Sequence, residues 1–142
     1  MLSTLEKVLF LQQVPLLGDA PTEALAHLAK VARVNQVQGG HDLWRRGDAR
    51  IAVYFIVEGE VAVDDGYGNY DARRGPGSDL GASALVGPNG ERETSCVTLR
   101  PTVLLEVPRD EFFEVLREHP EIGRALLASL GTRLDDTRRL DC

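Results

Sequence analysis

Apolar residues near the start of the chain recur every three to four positions, the spacing of one face of an α-helix. Ser3 or Thr4 can cap this first helix, and Glu6 supports the cap from the first turn. Pro15 and Gly18 end it. Its apolar face is predicted to contain Leu5, Val8, Leu9 and Leu11.

The same spacing predicts three further helices. One opens near Thr22 and runs to about Ala32. Pro108 stands at the start of another, which the His119-Pro120 pair breaks. The last helix is predicted over 121–140. Its apolar stripe contains Ile122, Leu126, Leu127, Leu130 and Leu134.

Between residues 34 and 107 the apolar period shortens to two, which is typical of β-strands. Val53, Phe55 and Val57 alternate with residues that are also largely apolar, so this strand is predicted to be central and buried on both faces. Short strands separated by Gly-containing turns favour a β-sandwich or barrel. The pattern therefore predicts a mainly β fold with flanking helices.

The chain length and the net charge limit the classes of function that are possible. The 142 residues suit one domain, and the net charge of −6 argues against a free-standing nucleic-acid binder. A small anionic ligand needs only a local positive site, so the net charge does not exclude one. The apolar segment 8–11 is too short for a membrane span or signal peptide, so no membrane partner and a cytoplasmic location are expected.

Few side chains offer catalytic or metal chemistry. His27, His41 and His119 are scattered along the chain, which predicts no metal site, and no nucleophile has a recognisable base. No catalytic residue and no enzyme activity are predicted. Cys96 and Cys142 are interpreted as a buried thiol and a terminal thiol, with a disulfide as the alternative.

An aromatic residue beside two cationic residues is a second candidate binding surface. Trp44 is followed by Arg45 and Arg46, which could form a binding patch. We interpret Trp44 instead as a strand-edge aromatic beside a solvated turn.

Residues 77–94 carry the most chemical information. A Gly-rich lead-in runs into a short apolar segment, then into a Gly-Pro-Asn-Gly loop, and Arg92 precedes a β-prone run. Backbone N–H groups at the start of a short helix, with a fixed arginine beside them, can hold a phosphate without a metal.

This stretch resembles the phosphate-binding cassette of the cyclic-nucleotide-binding domain family, roughly Phe-Gly-Glu-x-Ala-Leu-Leu, a loop, then Arg-Ser/Thr-Ala. Here residues 80–86 read Leu-Gly-Ala-Ser-Ala-Leu-Val and residues 92–94 read Arg-Glu-Thr. The turns at Gly40, Gly47-Asp48 and Gly59 also look like the family's glycine framework. The resemblance implies a double-stranded β-helix, or jelly-roll-like β-roll, with N-terminal and C-terminal helices.

The resemblance also implies one domain over 1–142. Its parts would be N-terminal helices at 1–33, a β-roll at 34–107 with a cassette helix near 81–86, and C-terminal helices at 108–140.

In the family, as the resemblance implies, the cassette Glu binds the ribose 2′-hydroxyl and the cassette Arg binds the cyclic phosphate. Ala82 stands at the Glu position, Arg92 at the Arg position, and Glu93 where Ser or Thr is usual. A slip of one residue would instead put Glu93 in the Arg place. The candidate ligand-binding residues are Gly81, Ala82, Ser83, Arg92, Glu93 and Thr94.

These changes predict a non-catalytic regulatory or protein-interaction module, a fragment or domain of a larger protein, with weakened or lost cyclic-nucleotide binding. The alternative is a working sensor of cyclic AMP or cyclic GMP, with no other cofactor. A transcription regulator of the catabolite-activator type would need a helix-turn-helix after the last helix, and the chain ends before one fits. If the chain is a fragment, the rest could be that domain, a transporter or an enzyme.

The predicted partners are a cyclic nucleotide or another anion, and an effector domain or protein reached through the C-terminal helices. The resemblance implies that ligand repacks the last two helices. The stripe of the last helix must pack on its own roll or on a twin helix in a homodimer.

Overall fold

The computed structural model describes residues 2–49, 51–64, 70–81, 91–92, 94–128 and 131 of the chain. Two predictions fall largely outside these residues: the cassette helix near 81–86 and the second half of the last helix. Within the described part, no helix has the length and apolar character needed to cross a bilayer.

The N-terminal helices form where the sequence predicts them. Helix α1 spans Thr4–Leu11, and helix α2 spans Thr22–Val31. The predicted cap is confirmed, because the Glu6 amide donates to Ser3 Oγ and the Ser3 amide donates to Glu6 Oε1, both at 3.1 Å. Helix α1 ends four residues before Pro15, which begins a short 3₁₀ helix, Pro15–Leu17.

The predicted apolar face of α1 is wrong for two of its four residues. Val8 and Leu11 are buried, but Leu5 is 67% exposed and Leu9 is 51% exposed. Lys7 Nζ donates to the carbonyl of Ala32 at 2.8 Å and so helps to fix the rotation of α1 against the end of α2. A short helix held in this orientation buries only a narrow side, and Leu5 and Leu9 lie beside it.

Two four-stranded antiparallel sheets form the centre of the molecule. In chain order the strands are β1 Arg33–Val37, β2 Asp42–Trp44, β3 Ala52–Glu58, β4 Val61–Asp64, β5 Tyr70–Arg74, β6 Asp79–Leu80, β7 Ser95–Thr98 and β8 Thr102–Pro108. One sheet has the order β1-β8-β3-β6 and the other has the order β2-β7-β4-β5. The predicted β-roll with flanking helices is confirmed.

Strand β3 is internal to its sheet and divides the core into two clusters, because successive side chains point to opposite faces. Val53 and Phe55 face the helices, whereas Tyr54 and Ile56 face the inside of the roll. The helix-side cluster contains Val8, Leu11, Val14, Leu16, Leu17, Ala24, Leu25, Leu28, Ala29, Ala32, Val53, Phe55, Leu105, Val107, Phe112, Val115, Ile122 and Leu126. The roll cluster contains Trp44, Ala52, Tyr54, Ile56, Val61, Leu80, Cys96 and Leu104.

The C-terminal helices pack on the outside of the first sheet. Helix α3 spans Arg109–Glu118 with Pro108 as its N-cap, and residues 120–128 and 131 are the described residues of helix α4. Ile122 and Leu126 are buried as predicted, but Leu127 is 64% exposed, so it does not belong to the buried stripe. Leu130 and Leu134 lie outside the described residues.

Candidate functional site

Arg92 is fixed by its backbone at the mouth of the roll. It follows an isolated bridge between Ala49 and Glu91. The Arg92 amide donates to the carbonyl of Asp48 at 2.7 Å, and the Arg92 carbonyl accepts from the Gly47 amide at 2.8 Å. These bonds tie residue 92 to the turn after β2 and direct its side chain inward, where Arg92 is only 4% exposed.

The guanidinium of Arg92 contacts the interior of the roll cluster. Its Nη2 donates to the carbonyl of Ala52 at 2.8 Å. Its Cζ lies 4.1 Å from the centre of the Trp44 ring. A guanidinium over an indole face is attracted by the ring quadrupole, and the attraction strengthens when water is excluded.

Gly81 lets the chain pass directly beside this guanidinium. The residue has φ +83°, a conformation that side chains with a Cβ rarely adopt. A Cβ at this position would also collide with Arg92 Nη1. Glycine at the opening of the predicted cassette therefore suits the backbone conformation and leaves room for the guanidinium of Arg92.

Trp44 lies on the edge strand β2 beside an exposed turn, as predicted, but its side chain points into the roll and forms the platform of the site. It is buried, stacks on Tyr54 with ring centroids 5.8 Å apart, and donates from Nε1 to Thr94 Oγ1 at 3.3 Å. An irregular register between Asp42 and Trp44 interrupts the pairing of β2, so simple alternation cannot predict which way Trp44 faces. Arg45 remains outside and pairs with Asp42 at 2.9 Å.

The neighbours of Arg92 are held in their neutral forms. Burial raises the pKa of Tyr54, and the nearby Glu106 carboxylate raises it further, while Arg92 acts in the opposite direction. Burial raises the pKa of Cys96 to about 12, again against the influence of Arg92. Among the residues that the structure describes, Arg92 is the one charged side chain that is buried. A buried planar cation of this kind suits a compact anion such as a phosphate.

Three of the six candidate binding residues are described, and the structure brings them together. Gly81 adjoins the guanidinium of Arg92, and Arg92 and Thr94 both contact Trp44. The side chain of Arg92 lies in the interior of the roll. The other three candidates, Ala82, Ser83 and Glu93, lie outside the described residues. Sequence reasoning missed Trp44 and the carbonyl of Ala52 as partners of Arg92.

The fold brings together two of the histidines that are scattered along the chain. His27 in α2 and His119 after α3 lie with their ring centroids 5.4 Å apart. Glu118 joins them, with Oε2 at 3.2 Å from His27 Nδ1.

The two-sheet roll, its flanking helices and the buried arginine beside Gly81 agree with one known family. The family model described as the cyclic nucleotide-binding domain matches residues 34–119. This match covers more than half of the chain, which therefore belongs to the cyclic nucleotide-binding domain family.

Curated relatives carry the same domain within longer chains. The Pycsar effector protein XpPycTIR of Xanthomonas perforans is 30% identical over 118 residues, which cover 83% of this chain and 39% of that protein. The cyclic AMP receptor protein of Thermus thermophilus is 31% identical over 121 residues, which cover 82% of this chain and 55% of that protein. The chain therefore spans less than two thirds of either relative.

A solved structure of the family superposes closely. The crystal structure of the Thermus thermophilus catabolite activator protein matches with a TM-score of 0.79 and 26% identity, over 89% of this chain and 62% of that chain.

Proposed function

We propose that this chain is a non-catalytic regulatory module that binds the phosphate of a cyclic nucleotide weakly through Arg92. The observation that carries the proposal is the position of the Arg92 guanidinium, which lies inside the roll against Trp44 and beside Gly81. Membership of the cyclic nucleotide-binding domain family supports this ligand class. Two relatives are named as an effector protein and a receptor protein, which supports a regulatory role.

The contacts that Arg92 already makes lower the affinity expected for a phosphate. A phosphate that approaches Nη2 competes with the carbonyl of Ala52, which already accepts from it at 2.8 Å. The stacking on Trp44 uses the face of the guanidinium and not its N–H groups. Arg92 can therefore retain its aromatic contact while it donates to an anion, but it must exchange one hydrogen bond for another.

The sequence of the cassette accounts for a further loss of affinity. Ala82 stands where the family pattern has a glutamate for the ribose hydroxyl. The loss of one charge-assisted hydrogen bond costs about 1.5–3 kcal/mol, or roughly a tenfold to hundredfold weaker affinity. A carboxylate at Glu93 near the phosphate would weaken binding further through like-charge repulsion.

A second candidate function is a working sensor of cyclic AMP or cyclic GMP. The interior position of Arg92 favours it, because this side chain supplies the attraction for the phosphate that the family pattern requires. Either function places the output in the C-terminal helices, whose packing must differ between the free and bound forms for a ligand to act. The partner would then be an effector domain in a longer cytoplasmic protein, or a second copy of the chain through α4.

Titration calorimetry with cyclic AMP and cyclic GMP separates these functions. We expect the wild type to bind weakly, and the double variant Ala82→Glu with Glu93→Ser to bind at least tenfold more tightly. If wild type and double variant bind equally tightly, the chain is a working sensor. If neither binds, cyclic nucleotides are not its ligands, and both functions are excluded.

Arg92→Ala supplies the test of the site itself. We expect it to abolish whatever binding the wild type or the double variant shows, because the phosphate loses its cationic partner. Arg45→Ala is the matched control, since Arg45 directly follows Trp44 in the chain but is exposed and paired with Asp42. Binding that survives Arg92→Ala, in a variant whose thermal unfolding shows that it is folded, would exclude the proposed site.

A further inference from the structure

We propose that His27, Glu118 and His119 form a binding site for a divalent transition metal of the Zn²⁺ type, on the outer face of the helices. One potential ligand atom from each residue lies within 4.8 Å of the others. Two imidazoles and one carboxylate are ligands that Zn²⁺ accepts, and three protein ligands leave a position for water. The site is separate from the candidate nucleotide pocket and does not depend on it.

The separations between the potential ligands are close to those of a metal site. Two ligands bonded to Zn²⁺ at about 2.0 Å in a tetrahedron lie about 3.3 Å apart. His27 Nδ1 and Glu118 Oε2 are already 3.2 Å apart. The remaining separations, at most 4.8 Å, must shorten by about 1.5 Å or less, which side-chain rotation can supply. The Glu118 side chain is 58% exposed and so has room to move.

The backbone holds the two histidines in place from well-packed elements. His27 belongs to α2, whose neighbouring residue Leu28 is fully buried in the helix-side cluster. The His119 amide donates to the carbonyl of Val115 at 2.8 Å, and the His119 carbonyl accepts from the Ile122 amide at 3.1 Å. His119 thus closes α3 and opens α4, so its position is fixed from both sides.

The two histidine rings lie close enough together to reach one ion. The planes of His27 and His119 are inclined by 76° in an edge-to-face arrangement. His27 has 25% of its side chain exposed, so solvent and an ion can reach the cluster. A bound metal would connect α2 to the joint between α3 and α4, and would resist any movement of α4 at that joint.

Calorimetric titration of the full chain with Zn²⁺ and Ni²⁺ tests this site. A Cys142→Ser background removes the terminal thiol as a competing ligand. We expect one metal per chain and a rise in melting temperature, because a ligand that binds the folded state stabilises it. Mg²⁺ should have no such effect, since it prefers oxygen ligands and sheds its water reluctantly.

Substitutions distinguish the proposed site from surface binding elsewhere. His27→Gln and His119→Gln should each weaken Zn²⁺ binding at least tenfold, and Glu118→Gln should weaken it to a smaller extent. His41→Gln is the control, because His41 is exposed and lies apart in the turn before β2. No 1:1 binding by the parent chain, or equal loss in His41→Gln and His27→Gln, would overturn the proposal.

Hydrogen exchange gives a second measurement that keeps the test decisive if a variant is destabilised. Zn²⁺ should slow exchange of the Ile122 amide, which is bonded to the His119 carbonyl, in the parent chain. An exchange rate at Ile122 that Zn²⁺ leaves unchanged would contradict the inferred connection between α2 and α4.

Discussion

The two clusters on either side of β3 differ in the chemistry of their side chains. The helix-side cluster is composed entirely of apolar side chains, from the helices on one side and from β3 and β8 on the other. The roll cluster includes a tryptophan, a tyrosine and a cysteine, and Arg92 inserts among them. Of the described residues, the buried polar ones are Arg92, Thr98 and Thr102, and all three belong to the roll.

This difference in chemistry indicates that one cluster mainly stabilises the fold and the other mainly recognises a ligand. Apolar burial has no directional requirement, so the helix-side cluster can be filled by any well-packed combination of side chains. The roll cluster instead places donors and a cation at defined positions, which is costly unless each polar group has a partner. We infer that the helix-side cluster supplies most of the stability, and that the roll cluster gives up part of its own for a binding site.

Phe112→Ala is expected to have the largest effect on stability. Phe112 is fully buried in the helix-side cluster, and truncation of such a side chain costs about 3–5 kcal/mol in unfolding free energy. Urea denaturation measures the loss. Leu127→Ala is the control and should change stability little, because Leu127 is 64% exposed. A cost below about 1 kcal/mol for Phe112→Ala would contradict the division of roles between the clusters.

Gly81→Ala should lower the unfolding free energy by an intermediate amount. Comparison with Gly77→Ala isolates the part of this loss that comes from contact with Arg92. Both glycines have positive φ, +83° for Gly81 and +88° for Gly77, so both substitutions carry similar backbone strain of about 1–3 kcal/mol. An added Cβ would meet Arg92 at Gly81, whereas nothing lies within 4 Å of one at Gly77.

Thermal unfolding of the two glycine variants therefore measures the contact with Arg92. We expect Gly81→Ala to be the less stable, and to be the one that alters cyclic-nucleotide binding if the proposed function holds. Equal melting temperatures would show that Arg92 moves aside without cost, and that the roll cluster is less constrained than its geometry indicates.

Local sequence patterns predicted the parts of the fold that local interactions determine. The capping box at Ser3 and Glu6 involves residues three apart, and the two-faced burial of β3 follows from its own alternation. Leu5, Leu9 and Leu127 were misassigned because helical spacing shows that an apolar side exists but not how much of it a neighbour covers. That coverage depends on tertiary packing.

The candidate site was predictable only where a motif fixed it. The cassette pattern located Gly81 and Arg92, but nothing in it indicates Trp44 or the carbonyl of Ala52, which reach Arg92 from distant strands. The cluster of His27 with Glu118 and His119 joins two helices far apart in sequence. Such juxtapositions arise from the packing of α2 on α3, which a one-dimensional spacing rule does not contain.

The smallest predicted effect is a pH dependence that belongs to the roll cluster. Burial raises the pKa of Cys96 from 9.0 to about 12, so above pH 9 the folded chain keeps a proton that the unfolded chain releases. The unfolding free energy should therefore fall as pH rises, by about 1 kcal/mol between pH 9 and pH 10. Urea denaturation at these two values measures the fall. Cys96→Ala should remove most of it because alanine does not titrate, and the raised pKa of Tyr54 accounts for a smaller share that remains. The helix-side cluster contains no titrating side chain, so Phe112→Ala should lower stability equally at both pH values. The same fall in the wild type and in Cys96→Ala would assign the pH dependence to groups other than Cys96.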